Sequence, residues 1–260
     1  MKTNYIESTI GDVGGMLTDY VNSLTCVADD FWESHIIGAA FYKIVREEVC
    51  IGYFCIHNFE KIVMFTVIPD YLNLARDIFK DVLVKFNIKT AFAVTGDQLM
   101  LSLCMENHKQ IEMQAIFFDG TIPHEVRAPE FDRSCLQEID PYDIDRINAE
   151  TDNFFGFVSP GSIIDKVIMV YKLVFSGEIL GYGVIVPNSL LTQYWACGMI
   201  TLEKNRRKGV GRSIQIHLGD ICRENGKTPI SGCWYYNDLS RRTIESAGRY
   251  TKTRLLNVIF

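Results

Sequence analysis

The strongest chemical signal in the sequence is a basic turn with two glycines in the last third of the chain. It follows a predicted strand and opens a predicted helix, and its members are Arg206, Arg207, Lys208, Gly209, Val210, Gly211 and Arg212. Glycines let the backbone approach a bulky anion closely, and the N–H groups at a helix start point toward it. Arginine adds forked hydrogen bonds to phosphate oxygens. The turn therefore predicts a phosphate site, although it has neither the G-K-[ST] of a Walker loop nor the third glycine of a dinucleotide fingerprint.

The charge of the chain changes sign along its length. The net charge is -6, yet residues 1–130 hold 10 basic and 18 acidic side chains, whereas residues 131–260 hold 16 and 14. Residues 203–254 alone hold 12 basic and 5 acidic side chains. Such a positive patch in an acidic protein usually faces an anion, although a solvated helix face would carry the same charge.

Length and composition describe a folded chain of one large or two smaller domains. The 260 residues are 48% hydrophobic and 22% charged, which provides enough apolar surface for a sizeable core. No apolar run reaches the roughly 18 residues of a membrane span, and the first residues lack the pattern of a secretory signal. We therefore expect a cytoplasmic protein. The eight cysteines show no C-x-x-C pair and no histidine at ligand spacing, so we expect reduced thiols and no metal.

Around the basic turn, the second half predicts a sheet with a helix after the turn. Residues 167–175 and 179–186 are rich in β-branched and aromatic side chains around a Ser-Gly-Glu break, which predicts a hairpin. A further strand is predicted over residues 190–202. After the turn, apolar residues recur at helical spacing, namely Ile214, Leu218, Ile221 and Cys222.

The remainder of the second half predicts a strand, a helix and a closing strand. The strand covers residues 232–236, the helix is capped by Asn237-Asp238 and runs to about Ala247, and the last strand covers residues 254–260. The predicted order of this half is therefore β-β-β-α-β-α-β.

The first half gives a weaker version of the same order. Strands are predicted at 51–54, 62–68, 90–94 and 111–118, with helices at 72–86 and 98–108. The halves are joined by a polar segment with two prolines at 120–130, which we interpret as a linker between a domain of residues 1–130 and a domain of residues 131–260. The first domain is either a structural duplicate of the second or an α+β accessory domain.

The second half resembles the GNAT superfamily of acyl-CoA-dependent N-acetyltransferases. Arg206, Gly209 and Gly211 match its pyrophosphate loop, [QR]-x-x-G-x-[GA], and the predicted hairpin matches its second and third strands. Asn237, Ser240 and a late glycine at 248 have the family's spacing. The resemblance implies an α/β fold with a mixed sheet, a GNAT fold in residues 131–260, and a degenerate GNAT-like copy in the first half, which lacks the loop.

What this resemblance implies about function is acetyl transfer from acetyl-CoA to the amine of a small molecule. Backbone amides of Arg206 to Arg212 would hold the CoA pyrophosphate, and the Thr201 backbone would pair with the pantetheine arm. Asn237 would contact the cofactor, with Ser240 beside it. The composition leads us to expect no nucleic-acid and no membrane partner, and a homodimer stays open.

The sequence departs from the family at the general acid. Many members have a tyrosine seven residues after the asparagine, where this chain has Ile244. Tyr235 or Tyr236, at the end of the strand before Asn237, could protonate the departing thiolate instead. The alternative is that Trp234 and Tyr236 merely pack one face of the sheet.

Two other functions remain open at this point. A non-catalytic acyl-CoA-binding or regulatory protein would keep the pocket but lack the acid, as Ile244 indicates. A nucleic-acid-binding module would use basic residues interleaved with Trp234 and Tyr235 to meet phosphates and stack bases. The overall acidity of the chain and the glycine turn weigh against nucleic acid.

Overall fold

The computed structural model describes residues 2–122 and 126–260, and the chain forms two compact units. Unit 1 comprises Met1–Ile116 together with Thr253–Phe260, and unit 2 comprises Phe117–Lys252. The predicted linker at 120–130 falls in unit 2, and its residues 123–125 lie outside the described part of the chain. The last eight residues, which we assigned to the second half, belong to unit 1.

Unit 1 alternates strands and helices around one mixed sheet. Its strands are β1 (Thr3–Ser8), β2 (Ala40–Arg46), β3 (Val49–His57), β4 (Lys61–Val67), β5 (Thr90–Val94) and β6 (Gln110–Phe118), and its helices are α1 (Gly14–Ser23), α2 (Asp30–Ile37), α3 (Ala75–Lys85) and α4 (Gln98–Asn107). A short 3-10 helix at Pro69–Leu74 precedes α3. The predicted strands and helices of this half are all present, whereas β1, α1, α2 and β2 escaped prediction.

Unit 2 repeats this alternation with a second set of elements. Its strands are β7 (Gly120–Thr121), β8 (Leu136–Glu138), β9 (Met169–Phe175), β10 (Glu178–Pro187), β11 (Tyr194–Thr201), β12 (Thr228–Trp234) and β13 (Arg249–Tyr250), and its helices are α5 (Ile144–Glu150), α6 (Pro160–Ile164), α7 (Val210–Glu224) and α8 (Asp238–Ser246). The predicted hairpin is confirmed as β9 and β10. The strand predicted at 232–236 is present as β12 but lies earlier in the chain, because it ends at Trp234 and its buried part is Pro229–Ser231.

Both units contain the same pairing pattern at the centre of their sheets. In unit 1, β3 and β4 are antiparallel, and β4 and β5 are parallel at Lys61↔Thr90 and Ile62↔Ala91. In unit 2, β10 and β11 are antiparallel, and β11 and β12 are parallel from Tyr194↔Thr228 to Ala196↔Ile230. Each parallel pair is joined by a helix, α3 or α7, as parallel strands require. The structure thus gives the first half the strand–helix order of the second.

The core of unit 2 lies on both faces of its sheet. The apolar stripe predicted on α7 is buried against β10 and β11, where Ile214 and Leu218 are fully inaccessible. On the opposite face, Ile144 and Ile147 of α5 pack around Tyr182 of β10. A helix with one apolar stripe on a sheet is what the sequence period predicts.

The C-terminal strand β14 (Thr253–Ile259) completes the sheet of unit 1. It lies between β5 and β6 and pairs with β5 in antiparallel register from Leu255↔Val94 to Ile259↔Thr90. Leu256 and Val258 join the unit 1 core under α3 and α4. The last residues of the chain therefore stabilise the unit in which the chain begins.

A buried carboxylate starts helix α4 of unit 1. Asp97 caps this helix by accepting from the Met100 N–H at 3.0 Å, and it also accepts from the Tyr20 hydroxyl at 2.6 Å. Only 5% of Asp97 is exposed. Burial raises the pKa of the Asp97 carboxyl and that of the Tyr20 phenol above their ordinary values, because the charged forms lose water.

Replacing Val258 by alanine tests the contribution of the C-terminal strand to unit 1. We expect a loss of about 2 kcal/mol in the free energy of unfolding, because the side chain is fully buried and its removal leaves a cavity. Val84 on α3 is 82% exposed and provides the matched control. Val84→Ala should change stability by less than about 0.5 kcal/mol in urea unfolding. Equal effects of the two substitutions would contradict the role of β14.

Asp97→Asn tests the buried carboxylate, since asparagine caps a helix as well as aspartate does but does not titrate. A pKa raised in the folded state makes the unfolded state lose its proton first. Wild-type stability should therefore fall, relative to Asp97→Asn, as the pH rises from about 4 through the raised pKa. Urea unfolding at several pH values between 4 and 7 measures this difference. If wild-type stability relative to Asp97→Asn stayed constant or increased as the pH rises, burial would not control this group.

Candidate functional site

The predicted phosphate turn links β11 to α7 in unit 2. After Thr201 the chain forms a 3-10 turn at Glu203–Asn205 and then enters the left-handed region at Arg207, with φ 63°, and at Gly209, with φ 74°. Gly209 is the N-cap of α7, and its carbonyl accepts from the Ser213 N–H at 3.0 Å. The first N–H groups of a helix have no partner within the helix, so the turn presents donors and the positive end of a 15-residue helix.

Buried Asn205 fixes the start of the turn. Its Nδ2 donates to the Ile179 carbonyl at 3.5 Å, and its Oδ1 accepts from the Lys208 ammonium at 3.3 Å. Arg206 and Arg207 are exposed, and Arg206 lies 4.0 Å from the Glu203 carboxylate. Solvent screening makes such an exposed pair weak. The arginines and the lysine are thus available to an anion at the turn.

Val210 and Gly211, in the first turn of α7, pack against the protein interior rather than face solvent. Val210 is 1% exposed and belongs to the core. A Cβ on Gly211 would lie 2.8 Å from the Thr243 methyl group of α8 and 3.2 Å from the Thr201 hydroxyl. Glycine at 211 therefore allows α7 to approach both α8 and the end of β11, and it brings Thr201 next to the turn.

The edge of β11 that faces β12 is open beyond Ala196. The pairing between these parallel strands ends at Ala196↔Ile230, whereas β10 pairs with β11 as far as Thr201. The Cys197 carbonyl accepts from the Gln215 side chain at 3.1 Å. Within the described residues, the backbone from Gly198 to Thr201 has no strand partner on this side, and an extended ligand could pair there.

Asn237 and Ser240 begin helix α8. The Asn237 Oδ1 accepts from the Ser240 N–H at 3.0 Å, which is a helix N-cap. Ile244, where we looked for an acid, is 1% exposed and fills the core under α8. The structure thus gives Asn237 a capping role and shows why position 244 is apolar.

Tyr235 and Tyr236 follow the end of β12, next to the point where β11 and β12 diverge. Trp234 is 57% exposed and Tyr236 is 61% exposed, with their rings edge to face at 5.1 Å. Tyr235 is half-buried, and its ring lies 5.1 Å from that of Tyr236. The exposure of Trp234 and Tyr236 contradicts the interpretation that they pack a face of the sheet. Because the carboxyl ends of parallel strands lie at the same edge, the tyrosines and the basic turn share that edge of unit 2.

One residue in contact with the turn was not predicted. The carboxylate of Glu130 forms an ion pair with Arg212 and lies against Gly209, where a Cβ would collide with it. Its local sequence is polar and contains prolines, so that it reads as a linker, and no local pattern shows this contact.

Unit 1 has a cavity at the corresponding strand ends. Its volume is ≈ 380 Å³, and its lining includes Tyr20, Thr66, Pro69, Leu72 and Asp97. The residues after β4 are Ile68-Pro69-Asp70-Tyr71, which provide neither glycines nor positive charge. The cavity therefore lies where unit 2 has its basic turn, but it has an acidic and apolar lining.

Residues 2–122 and 126–260 hold neither a membrane-spanning helix nor a metal-binding cluster. None of the helices there combines the length and apolar character of a membrane span. In the same ranges, no cluster of three or more histidine, cysteine or acidic side chains is arranged to hold a metal ion. The eight cysteines, all within the described residues, form no disulfide, and four of them are buried.

Comparison with known families places the sequence similarity in the first half of the chain. A family model described as an acetyltransferase (GNAT) domain matches residues 9–121. No curated protein matches the sequence. We expected the GNAT domain in residues 131–260 and only a degenerate copy in residues 1–130, and the match does not support this placement. Our prediction depended on the loop pattern, the hairpin before it and the spacing of Asn237, Ser240 and the late glycine, all in the second half. The matched region instead includes α1, α2 and β2, whose sequences follow neither helical nor strand period clearly.

Comparison of the fold extends the similarity to the whole chain. An acetyltransferase of the GNAT family from Colwellia psychrerythraea has a TM-score of 0.85 and 18% identity, with 100% of each chain covered. A GCN5-related N-acetyltransferase from Sphaerobacter thermophilus has a TM-score of 0.64 and 11% identity, covering 98% of this chain and 95% of that one. A tandem GNAT protein from the clavulanic acid biosynthesis pathway has a TM-score of 0.56 and 10% identity, covering 99% and 98%.

At these identities the structural likeness shows the fold, and the family match adds the sequence evidence for residues 9–121. The chain thus has a mixed α/β fold with GNAT neighbours over its full length, and the findings support an acyltransferase that contains a GNAT acetyltransferase domain at residues 9–121.

Proposed function

We propose that the protein transfers an acetyl group from acetyl-CoA to an amine of a small molecule, and that unit 2 binds the CoA. The observation that carries this proposal is the left-handed turn at Arg207 and Gly209, which opens α7 directly after β11. A helix start with a glycine cap and exposed cations is suited to a diphosphate. Unit 1 has no such turn after β4.

The residues of the turn fit an anionic group. The Glu130 carboxylate lies against Gly209 and pairs with Arg212, so this place already accommodates negatively charged oxygens. The N–H groups of residues 209–212, with Arg206, Arg207 and Lys208, would hold the diphosphate. The free edge of β11 up to Thr201 would pair with the amide groups of the pantetheine arm. Asn237 and Ser240 stand at the start of α8, beside the turn.

Acetyl-CoA supplies the acetyl group as an activated thioester. The chain must then provide hydrogen-bond donors for the reacting carbonyl oxygen, and the amides between Gly198 and Thr201 on the edge of β11 away from β10 are suited to this. It must also provide a proton for the leaving sulfur. Tyr235 and Tyr236 provide phenolic hydroxyl groups at this edge, and Ile244 cannot act as an acid.

A second candidate function is a regulatory protein that binds acyl-CoA without transferring the acyl group. Buried Ile244 favours it, because the position carries no titratable group. The residues of β11, Tyr194–Thr201, also contain no carboxylate that could act as a base. Turnover with an amine distinguishes the two functions.

The double substitution Arg207→Ala, Lys208→Ala tests the diphosphate site. We expect CoA to bind about tenfold more weakly or worse, because hydrogen bonds to charged groups contribute about 1.5–3 kcal/mol each. Pantetheine, which has no phosphate, should bind equally to both proteins in calorimetry. Lys252→Ala removes an exposed charge outside the turn and should leave CoA binding unchanged. Equal CoA affinity in the double variant and the wild type would refute the site.

Tyr235→Phe and Tyr236→Phe test the supply of the proton. With acetyl-CoA, a panel of amines and detection of the free thiol, the variant that lacks the acid should lose about a hundredfold in rate. The other variant serves as its control, since it removes the same atom from the neighbouring ring. Full turnover in both variants would exclude these hydroxyls. A complete absence of turnover in the wild type, with tight binding of acetyl-CoA, would favour the regulatory function.

A further inference from the structure

The segment around Glu130 and Phe131 is fastened along the first two turns of α7. The Ser213 hydroxyl accepts from the N–H of Glu130 at 3.0 Å and from that of Phe131 at 3.2 Å. One turn later, the His217 Nε2 donates to the Phe131 carbonyl at 2.8 Å. Ser213 is fully buried and His217 is 4% exposed. The two side chains lie four residues apart, on one face of the helix. They hold the segment of Glu130 and Phe131, which we call the strap, in place.

The strap brings the Glu130 carboxylate to the start of α7. One carboxylate oxygen forms an ion pair with Arg212, and the other lies against Gly209, where a Cβ would collide with it. The Arg212 side chain is only 15% exposed, whereas that of Glu130 is 37% exposed. The position of a phosphate in our proposed site is thus taken by a carboxylate of the chain itself.

The surroundings of Arg212 favour an anion at this place. Its Nε is buried and has no hydrogen-bond partner among the residues that the structure describes. Burial and the nearby positive charge of Arg127 both lower the pKa of the guanidinium. An anion next to Arg212 therefore offsets the cost of partly burying the guanidinium charge, whether Glu130 or a ligand provides that anion.

We infer that Glu130 is an internal competitor for the diphosphate turn, which a phosphate ligand binds only after displacing the carboxylate from Gly209 and Arg212. This inference rests on the proposed function, since it concerns the same turn. When a site is open for only a fraction of the time, the apparent dissociation constant rises by the inverse of that fraction. Every ligand that needs the turn therefore loses the same factor in affinity, whatever its other contacts.

Because Glu130 must be displaced, a ligand of the turn needs enough binding free energy from its contacts to replace the carboxylate. Free phosphate and pyrophosphate gain only the contacts of the turn itself, so they must replace Glu130 without further compensation. CoA also has a pantetheine arm, which can pair with the free edge of β11, and these contacts offset the displacement. Glu130 thus restricts the turn to phosphate ligands that bind elsewhere in unit 2 as well.

Glu130→Gln keeps the size of the side chain but removes its charge, and it provides the test. We expect the affinities for inorganic pyrophosphate and for CoA to rise by a common factor of about ten, since loss of the ion pair opens the turn. Pantetheine affinity should stay unchanged. Asp132→Asn is the matched control, because it removes the same charge two residues away, where the carboxylate accepts from the Ser134 N–H at 2.9 Å. Calorimetry measures the affinities, and thermal unfolding shows that each variant is folded.

The outcomes separate this inference from the proposed function. Unchanged pyrophosphate and CoA affinities in Glu130→Gln would overturn the internal competitor, while CoA binding to the wild type would still support the function. If Glu130→Gln gains affinity for pyrophosphate but neither protein binds CoA, the competitor is supported and the proposed function fails. A similar gain in Asp132→Asn would show a general charge effect and would also overturn the inference.

Discussion

The left-handed backbone at Arg207 and Gly209 is the constraint on which the site of unit 2 depends. It turns the chain out of β11 and into α7 within a few residues, so that the helix begins at the carboxyl end of the strand. Glycine adopts this conformation without a steric cost, whereas a residue with a Cβ does not. Once α7 starts there, its apolar stripe covers the sheet, and its first N–H groups are left without partners inside the helix.

The two units share one strand–helix architecture but differ in the residues at the ends of their parallel strands. In each, two parallel strands separate after a few residue pairs, and a helix connects them. Unit 2 places a basic turn at these strand ends, while unit 1 places a cavity beside Tyr20 and the buried carboxylate of Asp97. The sequence match to a GNAT domain lies in unit 1, and the features that suit a diphosphate lie in unit 2. A family match over one half therefore does not by itself locate the chemistry.

Sequence patterns predicted those features of the fold that depend on neighbouring residues. The β9–β10 hairpin, the stripe of α7 and the cap at Asn237 each follow from period or residue type within a few positions. The aromatic run from Trp234 to Tyr236 shifted the predicted bounds of β12 toward the C-terminus, because β-propensity there coincides with exposed side chains. The elements α1 and α2 escaped because their polar and apolar residues follow neither period clearly.

Long-range contacts were beyond prediction for a physical reason. Glu130 lies 83 residues from Ser213, and only the folded chain brings the strap to α7. Similarly, the pattern of β14 predicts a strand but does not determine which sheet receives it, since its buried residues suit either core. The residue types of the turn predicted a phosphate site there, but the carboxylate of Glu130 that lies against it became evident only from the structure.

A crystal structure of the protein with CoA tests the central claim most directly. Our account predicts the diphosphate at the N–H groups of residues 209–212, the pantetheine arm along the free edge of β11, and the Glu130 carboxylate displaced from Arg212. A diphosphate bound in the cavity of unit 1 would contradict the account. So would CoA bound at α7 while Glu130 still pairs with Arg212.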